Sequence, residues 1–288
     1  MPEKTSAFTR RRFLKAAAGA SALAAVPQVI PSAALGKDGT VLPSERIVLG
    51  AIGLGGRGTG DLRCFMSNPD VQFVAICDIR KIRREAIKKT ADEQYGNNDC
   101  DMYRDMHEIL ARPDIDAMLI ATGDRWHTMA SITTAKAGKD MYCEKPCSMT
   151  IQESRALSDT MRKYGRIYQA GTQRRSIGNF IFAADLVASG KLGKLHTVHA
   201  NTLNPRTSHD WRPAEEQPPA DEVDWNMWLG PCPWRPYNSA YVRGGWRGFF
   251  DFHGGGILEW GAHTVDLCQW AAKKTTPRPS STCPRAPG

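Results

Sequence analysis

The stretch from Arg46 to Asp78 restricts the fold more than any other part of the chain. Arg46-Ile-Val-Leu-Gly-Ala-Ile52 is a short, β-branched apolar run, the pattern of a buried strand. It leads straight into Gly53-Leu54-Gly55-Gly56-Arg57-Gly58, a G-x-G-x-x-G, and Asp61 to Met66 is compatible with a helix. A second apolar run, Val71 to Cys77, closes on Asp78. Strand, glycine turn, helix, strand and acid in this order are the parts of a dinucleotide site. Gly53 permits the tight turn, Gly55 lets backbone approach a pyrophosphate, and Gly58 lets the helix pack on the sheet. The helix start then turns its unpaired N–H groups and positive dipole end toward the phosphates. Asp78 lies 20 residues after Gly58, where a carboxylate accepts hydrogen bonds from a ribose 2′-hydroxyl. Because that carboxylate repels a 2′-phosphate, NAD is expected ahead of NADP; Arg80 keeps the preference modest.

The alternation continues beyond Asp78. Lys81–Tyr95, Met106–Ala111, Trp126–Ala137 and Ile151–Lys163 read as helices, and Ile115–Ala121, Asp140–Cys143 and Ile167–Gly171 as strands. The implied fold is α/β, a doubly wound and mostly parallel sheet over residues 45–170. Ligands of such a sheet bind beyond the C-terminal ends of its strands. Thr122, Trp126, His127, Glu144, Lys145, Gln173 and Arg174 all follow strand ends, so they should converge with Gly53 and Asp78 on one crevice. From Ser176 the pattern changes. A helix at Ile177–Ser189 and a strand at Leu195–Thr202 precede a long polar stretch rich in Trp and Pro, and Gly254-Gly255-Gly256 introduces a helix over Ile257–Ala272. Residues 171–272 read as a second, substrate-side domain.

Within that last helix Glu259 and His263 are four apart and share a face. A carboxylate one turn before an imidazole can fix its tautomer and support the imidazolium, as acid/base catalysis requires. Taken alone, such a pair is more often ordinary helix packing. The glycine triplet before it, which admits a ligand or another chain segment closely, shifts the balance toward chemistry. Lys145, between Glu144 and Pro146, is either an electrophile at the crevice or a solvated loop lysine. His127 is a candidate cofactor contact or a packing residue, and Trp126 suits the core better than a stacking role. No Cys/His spacing matches a metal site, and none is expected.

The net charge of +8 resembles a nucleic-acid signal until it is located. Residues 1–34 carry +4 and residues 273–288 another +4, so the body between is neutral and offers nucleic acid no electrostatic footprint. Thr9-Arg10-Arg11-Arg12-Phe13-Leu14-Lys15 has the twin-arginine form and is followed by an alanine-rich apolar run, with small residues at Ser32-Ala33-Ala34. Export to the periplasm is expected, with membrane contact only through that signal. Eight cysteines show no paired spacing and read mostly as buried thiols. Residues 273–288, proline-rich and without acid, read as disordered or foreign.

Together these motifs resemble the glucose-fructose oxidoreductase/inositol dehydrogenase (Gfo/Idh/MocA) family, in its twin-arginine-exported branch. The resemblance rests on Gly53–Gly58 with Asp78, Ala121-Thr-Gly-Asp-Arg-Trp-His127, Glu144-Lys145-Pro146, Gln169-Ala-Gly-Thr-Gln-Arg174 and Gly254-Gly-Gly-Ile-Leu-Glu-Trp-Gly-Ala-His263. It implies a Rossmann domain plus a C-terminal α/β domain, and hydride transfer between nicotinamide and a sugar, cyclitol or related polyol. It places the family's lysine on Lys145, its catalytic histidine on His263 and its usual aspartate on Glu259, one methylene longer. Gln173 and Arg174 become candidate substrate contacts, and Gly56, Arg57, Thr122, Trp126, His127, Glu144 and Lys145 join the cofactor set. Gly123 departs from the proline common in relatives. Relatives continue well beyond the histidine, so an incomplete second domain is expected. Two rivals follow: an NAD-dependent glycosidase with transient redox on the same fold, and an inert nucleotide-binding remnant. Assembly into a homo-oligomer is left open.

Overall fold

The computed structural model describes residues 41–202 and 210–272, so the twin-arginine segment and the 273–288 tail lie outside the described residues. The chain divides into a unit ending at Arg46 and a unit from Ile47 onward. In the first, the described part is a 3-10 turn at Pro43–Glu45, with Arg46 Nη2 donating to the Val41 carbonyl at 3.3 Å.

The second unit is built on a six-stranded parallel sheet in the order β3-β2-β1-β4-β5-β6. The strands are β1 (Ile47–Ile52), β2 (Val71–Cys77), β3 (Asp101–Tyr103), β4 (Ala117–Ile120), β5 (Asp140–Glu144) and β6 (Tyr168–Gly171). Between them run α1 (Gly56–Met66), α2 (Lys81–Tyr95), α3 (Met106–Leu110), α4 (Asp124–Lys136) and α5 (Ile151–Tyr164). Strand order reverses at β1, which places a topological switch point between β1 and β4. One sheet face packs Leu49, Ala51, Phe73 and Ile76 against Leu62 and Met66 of α1 and Ile87 of α2. The other packs Ile52, Ala75, Met118 and Ile120 against Ile109 of α3 and Ala130 of α4. Helices cover both faces, which is why the strands are near-continuous apolar runs.

After β6 come a 3-10 turn at Gln173–Ser176, α6 (Gly178–Ala188), α7 (Trp225–Leu229), a π turn at Tyr241–Gly245, and α8 (Gly255–Ala271). The strand expected at Leu195–Thr202 is not formed. No described segment pairs with it, and Leu195 and Val198 are exposed at 46% and 44%. An isolated strand has nowhere to place its ladder hydrogen bonds except water. The short β3 was not anticipated either; its Asp-Met-Tyr carries no apolar run, and its place comes from pairing with β2.

The Trp- and Pro-rich stretch folds into a second, aromatic core of Trp225, Trp228, Tyr241, Phe249 and Phe252, with the two tryptophans stacked at 4.7 Å. It also folds back onto the sheet. Val223 forms an antiparallel bridge with Arg80, the Lys81 N–H donates to the Glu222 carbonyl at 3.0 Å, and the Asp224 N–H donates to the Ile79 carbonyl at 3.2 Å. The end of β2 is thereby covered by a segment that follows it by more than a hundred residues in sequence. Among the described residues no helix is long and apolar enough to cross a membrane.

Candidate active site

The C-terminal ends of β1, β2 and β4 open onto a cleft of about 450 Å³. Its floor is the turn from β1 into α1. Gly53 sits at φ +71°, where a Cβ would also collide with the Thr122 side chain. A Cβ on Gly58 would lie 2.6 Å from that of Ala121, so glycine is what brings α1 against the end of β4. Gly55 and Gly56 present the opposite case, with no atom within 4 Å of a Cβ at either. α1 starts at Gly56 with no side-chain cap, leaving its first N–H groups free. The turn is closed where the fold needs contact and empty where a pyrophosphate would rest, so these residues fit a dinucleotide.

Asp78, Arg80, Thr122, Trp126 and Arg57 line the same cleft. Asp78 accepts from the Arg80 N–H at 2.9 Å, and burial pushes its carboxyl above the usual range. Trp126 donates from Nε1 to the Met227 carbonyl at 2.8 Å, tying α4 to the returning segment. Three residues expected at the cofactor, His127, Glu144 and Lys145, do not line the cleft. His127 is 1% exposed, with Nδ1 at 2.6 Å from the Pro146 carbonyl and Nε2 at 3.2 Å from the Thr122 carbonyl. Both ring nitrogens face backbone, so it braces two strand-end turns. Glu144 is 4% exposed; it accepts from Arg57 Nε at 3.2 Å and from the Lys145 N–H at 3.2 Å. Arg57 also lies 2.5 Å from Asp61, whose carboxyl is pushed upward by burial and by Glu144 beside it. This cluster, two buried carboxylates around a half-exposed Arg57, ties α1 to the end of β5.

A second group gathers around α8. His263 is 4% exposed, and its Nδ1 has no hydrogen-bond partner. Burial, then the positive charges of Lys145, Arg174 and Arg57, push the imidazole down to about 4, with Asp266 opposing them. The ring is therefore neutral near pH 7, with Nδ1 unpartnered and the charge of Lys145 acting on it. Gln173 also keeps a buried Oε1 without a partner. Asp266 takes Arg175 in a bidentate pair at 2.8 and 2.6 Å, which fixes α8 to the turn after β6. Neither Lys145 nor His263 lines the cleft; Arg57 lines it and also acts on the His263 ring.

Glu259 does not orient His263. Its carboxylate accepts from Arg247 Nε at 3.1 Å and lies 3.2 Å from His253 Nε2. A shared helix face brought the two within reach, but the longer side chain finds partners on the segment before α8. Glu259→Gln is accordingly expected to lower kcat less than about tenfold, below the 10²–10⁴ usual for an acid/base residue. A larger loss in steady-state kinetics would restore Glu259 to the imidazole. Sequence reading placed Arg125 in the stretch after β4 but gave it no role, and it missed Arg247 and His253. No local spacing marks those two, since they reach the site only through the fold-back of the aromatic segment.

Comparison with known proteins adds to this geometry. A family model described as the Gfo/Idh/MocA oxidoreductase family, NAD-binding Rossmann fold, matches residues 47–172. The family's C-terminal alpha/beta domain matches residues 184–286. Myo-inositol 2-dehydrogenase of Thermotoga maritima is 31% identical over 157 residues, 54% of this chain and 45% of that protein. Glycosyl hydrolase family 109 protein 1 of a Shewanella species is 32% identical over 173 residues, 54% of this chain and 37% of that protein. The chain thus spans less than half the length of either relative. A crystal structure of a probable dehydrogenase from Thermotoga maritima superposes with a TM-score of 0.54 at 25% identity, over 78% of this chain and 55% of the other.

Proposed function

Because the chain belongs to the Gfo/Idh/MocA oxidoreductase family, with an NAD-binding Rossmann fold, we propose that it oxidises a hydroxyl of a cyclitol, sugar or related polyol, with His263 moving the proton. The observation that carries this reading is the unpartnered Nδ1 of a buried, neutral His263 beside Lys145. Bound nicotinamide supplies the hydride acceptor. Gly55 and Gly56, open at the start of α1, would hold the pyrophosphate, Gly53 and Gly58 shape the turn beneath it, and Asp78, on the same cleft wall, would meet the adenosine ribose. His263 accepts the hydroxyl proton as the carbon–hydrogen bond breaks, and the Lys145 ammonium holds the developing alkoxide. Gln173 and Arg174, on the turn that α8 packs against, orient the remaining hydroxyls.

The test is a panel of cyclitols and sugars assayed by nicotinamide reduction. Turnover of a polyol with net reduction supports the reading; dinucleotide binding with no turnover on any member points to an inert fold. The similarity to a family 109 glycosyl hydrolase gives the second reading its footing. Release of an aglycone without net cofactor consumption would select it.

The pH profile carries a further prediction. With the ring's pKa lowered from 6.5 to about 4, His263 stays a competent base through mildly acidic pH. The acid limb of kcat/KM should therefore bend near 4 rather than near 6.5. Stability moves the same way. Below about 6.5 the unfolded chain takes up a proton that the folded chain refuses, so this residue's contribution is whole above that pH and falls toward pH 4. An acid limb at the ordinary histidine position would mean that the ring is solvated and not held among these cations.

A further inference from the structure

Arg125 stands in the first turn of α4, on the wall of the cleft, and is 6% exposed. Burial pushes its guanidinium down to about 10, so it still carries its charge at neutral pH. No carboxylate of the described residues pairs with it; the Oδ2 of the adjacent Asp124 lies 3.8 Å from His253 Nε2 instead. Three rings surround the guanidinium, Trp228 at 3.7 Å, Phe252 at 5.5 Å and Trp246 at 5.9 Å. Rings attract a cation but leave its N–H donors unsatisfied. Its Nε donates to the Trp228 carbonyl at 2.8 Å, while Nη1 is buried without a partner. A buried cation with an open donor is costly until an anion meets it.

The guanidinium has room because residue 123 carries no side chain. A Cβ on Gly123 would lie 2.5 Å from Arg125 Nη1 and 3.3 Å from its Cζ. The backbone there does not ask for glycine, since φ −77° and ψ 155° are open to every residue. Gly123 also follows Thr122, whose side chain packs over Gly53, so the open donor lies beside the turn that leads into α1. The other end of Arg125 points away from that turn. Arg125 Nε and Trp126 Nε1, from consecutive residues of α4, donate to the consecutive carbonyls of Trp228 and Met227 in α7, each at 2.8 Å. One side chain thus touches both the cleft and the aromatic segment that closes it.

We propose that Arg125 bridges the dinucleotide diphosphate and the aromatic segment, with Gly123 as the gap that seats it. The inference rests on the dinucleotide reading above and adds a link from the cleft to α7. The terminal nitrogens of Arg125 donate to the diphosphate from the β4 side, while Nε keeps the Trp228 carbonyl. Because one guanidinium serves both, ligand binding and the packing of Trp225–Leu229 favour one another.

The test uses the full chain with NAD+, ADP and adenosine, read by calorimetry and amide hydrogen exchange, so no turnover is needed. In the parent chain NAD+ and ADP should slow exchange across Trp225–Leu229, and adenosine should not. Arg125→Met should weaken NAD+ and ADP about tenfold or more, the scale of one lost charge-assisted contact, and leave adenosine unchanged. The slowed exchange should vanish with it. Gly123→Ala should weaken ADP in the parent chain, where its Cβ displaces the guanidinium, and add nothing in the Arg125→Met background. Circular dichroism on each sample checks the fold; if Arg125→Met does not fold, Gly123→Ala decides by the loss of ADP against adenosine. Unchanged ADP affinity in Arg125→Met overturns the bridge, as does an equal loss of ADP and adenosine or an equal effect of Gly123→Ala in both backgrounds. If NAD+ does not bind the parent chain, the dinucleotide reading fails and the bridge falls with it; binding that survives Arg125→Met sinks the bridge alone.

Discussion

His263→Ala should lower turnover by about 10²–10⁴, the range expected when a positioned acid/base group is removed, while dinucleotide binding stays intact. The separation follows from where the residue sits. His263 lies on α8 and not on the wall of the cleft, so losing its ring leaves the glycine turn and Asp78 untouched. The folded state should tolerate the change, since the deleted ring has an Nδ1 with no partner. It also sits among cations that disfavour its protonation. The measurement pairs steady-state turnover on a substrate from the polyol panel with cofactor titration by fluorescence. Equal turnover in the variant removes His263 from the chemistry. Loss of cofactor binding together with turnover would mean that α8 supports the nucleotide cleft, and the proton acceptor would have to be sought elsewhere.

Gly55→Trp should abolish dinucleotide binding and leave the protein folded. Gly55 has φ −74° and ψ −165°, backbone that any residue adopts, and no atom lies within 4 Å of its would-be Cβ. A Cβ placed there meets no protein, and an indole extending from it would fill the space that the pyrophosphate needs, at the open start of α1. Neighbouring positions behave differently. A side chain at Gly58 would drive α1 off Ala121, and loss of binding there would only report damage to the fold. Circular dichroism and thermal unfolding beside the titration separate the two. A folded Gly55→Trp protein that still binds NAD+ with parental affinity places the nucleotide somewhere other than on this turn.

Much of the first half of the unit was legible because its signals are local. Val71–Cys77 and Lys81–Tyr95 begin and end where the apolar run and the helical charge pattern begin and end. The glycines at 53, 55 and 58 differ in the space around them in the way their spacing implies. Helix starts were less legible: α1 begins at Gly56, five residues before the first residue with clear helical character, because glycines conceal the onset of a helix. The second half was legible only in its two longer helices, Gly178–Ala188 and Gly255–Ala271. Leu195–Thr202 has the composition of a strand, yet composition cannot supply the neighbour that a strand requires. The fold-back of Val223 onto Arg80 joins residues with no sequence signal in common.

The same division runs through the candidate site. Residue type and spacing by themselves determined the dinucleotide turn, the parallel sheet beneath it and a helix carrying His263, since each depends on backbone geometry over a few neighbouring residues. Which side chains meet was decided by tertiary structure alone. Helical spacing put Glu259 and His263 on one face, but Arg247 and His253 hold Glu259. His127 follows a strand end as a ligand contact would, yet its two nitrogens lie against backbone carbonyls of two separate turns. A periodicity fixes the face on which a side chain emerges. Its partner is fixed by whichever buried polar group most needs a hydrogen bond, and that is known only once distant segments have packed.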